Sequence, residues 1–203
     1  MNVRLASLHA RARRVPAIAA GLGVLTLVSW ALGNQLAHES GQVDPANRMA
    51  GTVMASFVAA VLVSSALSGA DDELELSTRA RWAGLRSGLL VALTLLATTL
   101  LALTGCWAPE QFGAHALVRG VVGEVGLVAL TAALVGVRAS WVPALGVAIV
   151  ALSRGPVDAG TVAAVLTWQV QPTGVRVAGS TAWALGVAGL VVYVRRGSRV
   201  SAP

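Results

Sequence analysis

Apolar residues run along this chain in long blocks, broken at regular intervals by short polar or Pro/Gly-bearing stretches. A membrane-crossing helix needs about 20 consecutive apolar residues with few charges. Blocks of that kind cover Val15 to Leu36, Met49 to Ser68, Arg86 to Gly105, Ala116 to Val137 and Val175 to Val194. A further block from Ser140 to Arg154 is shorter, with Ser140 placed to cap a helix and Pro143 in its first turn, where a missing N–H is tolerated. Its 14 or so residues extend about 21 Å at 1.5 Å per residue, short for a hydrocarbon core of about 30 Å. After Arg154, Gly155 and Pro156 comes a second apolar piece, Ala159 to Trp168, too short to span. It reads as a re-entrant or interfacial helix. The pattern predicts an all-α fold: one membrane domain over residues 1–203, a bundle of six transmembrane helices with a short extra helix between the fifth and sixth.

Composition agrees. Hydrophobic residues make up 56 % and charged residues 12 %, where a soluble domain carries about 25 % charge to cover its surface. The net charge of +6 comes from Arg residues scattered between apolar blocks and not gathered in one stripe, so a lipid bilayer is the expected partner, not nucleic acid. The basic start followed by an apolar run also fits a signal peptide, but the run is about 19 residues against the 7–15 or so of such segments, and it reads as a retained first span. Six crossings bring both termini to one side. Of 15 Arg residues, 11 fall on that side, leaving Arg48, Arg119, Arg154 and Arg176 on the other. The positive-inside rule therefore predicts a plasma-membrane protein with both termini cytoplasmic. Trp82 and Trp141 then mark inner boundaries, and Trp30, Trp107 and Trp168 outer ones.

Four places carry candidate chemistry. Between the second and third spans, Asp71, Asp72, Glu73 and Glu75 cluster with Leu74 and Leu76. Acids in the first turn of a short helix suit its dipole, and Ser77 or Thr78 is placed to cap the helix that follows. The segment reads either as a short acidic helix below the bilayer or as a solvated loop whose acids balance Arg79 and Arg81. Glu124 lies within the fourth span, with Gly120, Gly123 and Gly126 at helical spacing around it. An ionisable group at membrane depth is expensive and raises a functional question by default; here it is either a site or a structural carboxyl locking helices that the glycines let approach. Arg119, near the end of that span, reads as an interface anchor. Arg154 and Asp158, four apart beside Pro156, fit a rim salt bridge at a bend. Residues Asn2 to Arg14 set Val3, Leu5 and Leu8 among four Arg residues, either an amphipathic helix on the inner leaflet or a flank that fixes topology.

The lone Cys106 excludes an internal disulfide, and His9, His38 and His115 lack metal-site spacing. No phosphate-binding Gly-rich loop, nucleophile elbow or His-Glu-x-x-His motif occurs, so no catalytic residue, cofactor or metal is expected in this chain.

Six spans, a basic N-terminus, an acidic segment after the second span and a broken helical piece after the fifth resemble the permease subunits of type-2 ATP-binding-cassette exporters. Arg79-x-Arg81, Val-Arg-Ala-Ser-Trp-Val-Pro from Val137 and Thr-Trp-Gln-Val-Gln-Pro from Thr167 add local likeness. The resemblance implies a coupling helix at Asp71 to Leu76 seated in a separate ATPase subunit that binds ATP and Mg. It also implies a second permease subunit, identical or different, and an outer re-entrant segment from Gly155 to Trp168. The function it implies is ATP-driven export of a hydrophobic or amphipathic substrate. An ion-coupled transporter using Glu124 and a non-transporting accessory or assembly subunit are the alternatives.

Overall fold

The structure is a computed structural model that describes residue 11 and residues 13–40, 44–67, 79–107, 113–156, 162–172 and 174–197. Its helices are α1 (Val15–Ser40), α2 (Pro45–Ser64), α3 (Arg79–Trp107), α4 (Ala114–Leu134), α5 (Trp141–Arg154), α6 (Val162–Leu166) and α7 (Arg176–Arg196), with a 3-10 turn at Val137–Ala139. There is no strand among the described residues. Six helices are long and apolar enough to cross a membrane, the fifth counted from Val137 to Arg154, and the chain is an all-helical, multi-pass membrane bundle.

The helix starts follow local signals. α2 begins at Pro45, four residues before its apolar block, because Asp44 caps it: the carboxylate accepts from the Ala46 N–H at 2.9 Å and Pro45 occupies the first turn. Ser140 stands at the cap position of α5, but its hydroxyl turns back to the Val137 carbonyl at 2.8 Å and caps nothing ahead. The 3-10 turn instead lengthens the fifth span, adding about 6 Å at 2 Å per residue to the 21 Å of α5. Gly136 makes the tight link from α4 possible, since its φ of 127° is closed to other residues.

α4 is the axis. Within its span 72 % of residues are buried by the rest of the protein, against 22 % in the first, fifth and sixth spans. α2, α3, α5 and α7 surround it, while α1 packs on α2 and α3. Large apolar side chains such as Val24, Leu27, Leu95, Ile149, Trp183 and Val187 point outward, as suits a surface whose solvent is hydrocarbon. Trp183 therefore faces outward from mid-span and does not mark a boundary.

The three glycines of α4 each admit a different neighbour. A Cβ at Gly120 would collide with Ser56 of α2, and one at Gly123 with the Trp168 ring. At Gly126 it would strike the backbone of α7 at Leu185 and Gly186, and a Cβ on Gly189 would strike Gly126 in return. The two helices thus cross backbone to backbone, a contact only small residues allow.

At the end of the bundle carrying both termini, the Arg13 guanidinium donates to the Ala66 carbonyl at 2.8 Å and to the Tyr193 hydroxyl at 3.2 Å. The Tyr193 hydroxyl in turn donates to the Leu67 carbonyl at 3.3 Å. Arg13 is therefore buried and ties the chain start to the ends of α2 and α7; it is not a solvated flanking charge.

Candidate functional site

A polar cluster lies inside the bundle around α4. Glu124 is the eleventh of the 21 residues of that helix and is fully buried. Facing it is the segment after α6, which turns through Thr167–Val170 and runs to Pro172. Thr167, Trp168, Gln169, Val170 and Gln171 are all buried there. Gln169 Nε2 donates to Glu124 Oε1. Because Glu124 sits at the midpoint of its span, the turn reaches to the middle of the bundle, entering from the end opposite the termini.

The turn lacks a regular helical ladder, and backbone carbonyls at membrane depth require donors. Arg119 supplies them. Its Nη2 donates to the Gln171 carbonyl at 2.6 Å and the Gln169 carbonyl at 3.0 Å, and Nη1 reaches the Pro172 carbonyl at 3.4 Å. Arg119 is 4 % exposed, so the interface-anchor reading fails: the guanidinium points inward, where its two terminal nitrogens serve the carbonyls of the turn, that of Pro172 being shared with the Val175 N–H. Gln171 Nε2 closes the turn on Thr167 Oγ1 at 2.8 Å.

Apolar contacts seat the turn on the surrounding helices. Val170 packs with Val53 of α2 and with Ala148 and Ala151 of α5. Trp168 lies against Gly123, Ala178 and Ala182, and is 1 % exposed. It does not mark a bilayer boundary: the missing side chain at Gly123 opens a slot its indole fills. α6 itself stays at the rim, with Val162 and Leu166 exposed.

The sequence-derived residues divide accordingly. Glu124 and Trp168 come together in the cluster. Arg154 and Pro156 are exposed at the end of α5, outside it. Asp158 lies outside the described residues, as do Asp71, Asp72, Glu73, Leu74, Glu75 and Leu76, so neither the rim pair nor the acidic segment is placed. Ser77 and Thr78 lie outside as well; α3 begins directly after them. Gln169 was missed as the partner of Glu124, and Arg119 and Gln171 as the side chains that hold the turn. The available signal was Thr167-x-Gln169-x-Gln171 in an apolar surrounding, polar groups at every second residue where a helix would repeat near 3.6.

A second feature is an apolar groove of about 260 Å³ between α3, α4 and α7, with Leu95, Val122, Trp183 and Val187 in its walls and Thr94 and Thr98 as its polar points. No group of His, Cys, Asp and Glu suited to a metal occurs among the described residues. No family model, curated protein or solved structure matches the chain.

Proposed function

We propose that this chain is the permease subunit of an ATP-driven ABC exporter, working with a second permease subunit and with a separate ATPase that binds ATP and Mg. The observation that carries the reading is the polarity of the bundle. The chain start and the ends of α2 and α7 meet at one end through Arg13 and Tyr193. In the sequence the acidic segment Asp71 to Leu76 follows α2, whose end lies there, and the re-entrant turn enters from the other end. A permease of this kind needs a joint to its ATPase on one side and a closure of its path on the other. With both termini cytoplasmic, the end of α2 that precedes the acidic segment is on the ATPase side and the turn faces outward. The groove between α3, α4 and α7 opens sideways, which suits a hydrophobic or amphipathic substrate drawn from the lipid.

The test is the joint. Reversing Asp72 and Glu73 to Arg leaves the six spans inserted, because the change adds positive charge to the positive side. It weakens ATPase binding by about 2–5 kcal/mol if matched charges are lost at a desolvated interface. Co-purification and coupled ATPase activity read the effect; full retention of both defeats the proposal. The buried carboxyl at the middle of α4 favours a second reading, an ion-coupled transporter, for which a pH gradient alone drives uptake in proteoliposomes without an ATPase.

A further inference from the structure

Two buried oxygens stand without a donor, and they belong to the two side chains already bonded to each other. Gln169 Nε2 donates to Glu124 Oε1, while Glu124 Oε2 and Gln169 Oε1 have no partner. Both residues are sealed from the surroundings, at 0 % and 4 % exposure. A carboxylate is acceptor-only and offers nothing to an amide oxygen, whereas a carboxylic acid and a primary amide are complementary. The amide N–H serves one carboxyl oxygen, and the acid O–H serves the amide oxygen. One proton on Oε2 is thus a single addition that gives both oxygens a partner.

The charge pattern points the same way. The buried charged residues among those described are Arg13, Arg119 and Glu124. Arg13 bonds to Ala66 and Tyr193 at the far end. Arg119 is bonded to the carbonyls of the turn. Arg48 of α2 lies near Gly113, at the head of α4 and 11 residues before Glu124. The residues that meet α4 at its glycines are Ser56 of α2 and Leu185 of α7, those that seat the turn are Val53 of α2, Ala148 and Ala151 of α5 and Ala178 and Ala182 of α7, and α3 brings Leu90, Thr94 and Thr98 to the groove it shares with α4, none of them charged. An unpaired carboxylate in such surroundings is strongly disfavoured.

We propose that Glu124 is a resident proton-binding site, held as a carboxylic acid closed on the Gln169 amide by two hydrogen bonds, and that this proton latches the re-entrant turn to α4. The latch is independent of the exporter reading and would serve any six-span carrier of this shape.

Infrared spectroscopy of the purified full-length chain in lipid nanodiscs at neutral pH tests it, because the carbonyl stretch of a carboxylic acid is separated from the carboxylate bands. The chain has 9 acidic residues, so the wild-type spectrum minus that of Glu124→Gln isolates one. The expected difference is a hydrogen-bonded acid carbonyl, present in the wild type and lost in the variant. Gln169→Leu moves the same band up, to the position of an acid without a partner. Glu124→Gln preserves a two-bond ring, amide to amide, and so keeps the fold. The melting temperature provides a second reading. A folded state holding a proton that the unfolded chain releases loses stability as pH rises; the wild type shows this loss and Glu124→Gln does not. A carboxylate band in the difference spectrum, with no acid carbonyl, means that a cation or water serves the pair and overturns the proposal. Should Glu124→Gln fail to insert, the wild type and Gln169→Leu decide alone: an acid band that is absent, or that does not move, refutes the pairing.

Discussion

Arg119→Leu removes the side chain on which the re-entrant turn depends most. Two of its contacts are short, 2.6 Å to the Gln171 carbonyl and 3.0 Å to that of Gln169. The third, at 3.4 Å to Pro172, is at the limit of a hydrogen bond and adds little. Bonds from a charged donor contribute about 1.5–3 kcal/mol each in water-soluble proteins, while side-chain bonds within membrane bundles average about 0.6 kcal/mol. Two bonds therefore bracket the loss between about 1 and 6 kcal/mol. Leucine removes the burden of burying a guanidinium, which lowers the figure. It also takes the guanidinium's donors away from the buried Gln169 and Gln171 carbonyls, which raises it. We expect about 3 kcal/mol, or roughly two orders of magnitude in the folding equilibrium. Reversible unfolding in mixed micelles measures the total. Hydrogen exchange locates it: amides of residues 162–172 lose protection while those at the crossing of α4 and α7 keep theirs. Arg119→Lys recovers less than half, because an ammonium on a flexible stem cannot serve both carbonyls in a fixed fork. A Leu variant within about 0.5 kcal/mol of wild type, with exchange unchanged, would refute the role given to Arg119.

Two further outcomes are expected. Gly126→Leu destabilises by about 1–3 kcal/mol or more, since its side chain meets the α7 backbone and not a yielding side chain, whereas Gly146→Ala, with open space around it, is neutral or slightly stabilising; thermal melts of the two variants compare them, and equal stability refutes the backbone crossing. Cys106 is the single cysteine and is exposed in the last turn of α3, opposite the termini, so a membrane-impermeant maleimide labels it in intact cells, and labelling only after permeabilisation reverses the proposed orientation.

The parts of the fold read correctly from sequence are those set by local composition. Span existence follows from apolar block length, and the glycine stripe at 120, 123 and 126 announced close approach because no side chain stands there. The interior of the site was hidden for a different reason. Gln169 is 45 residues from Glu124, and the Arg119 contacts reach 50 to 53 residues along the chain. Trp168 in the turn gave the signature of a membrane boundary. Trp168 escapes that signature only because Gly123, on another helix, leaves a slot of indole size. Arg13 was not singled out for the same reason: four Arg residues at a chain start look alike until the carbonyls at the end of α2 select one.

The axial place of α4 also sets a problem of timing. The ribosome delivers α4 before α5, the turn at 167–172 and α7, so Arg119 and Glu124 are synthesised before any of their hydrogen-bond partners exists. Until the turn emerges, the helix that bears the buried carboxyl has three predecessors for company and no Gln169 to donate to it. A newborn α4 must therefore wait, in the translocon or at the membrane edge, for the segment that will cover it. Assembly of this bundle finishes at its centre and not at its rim.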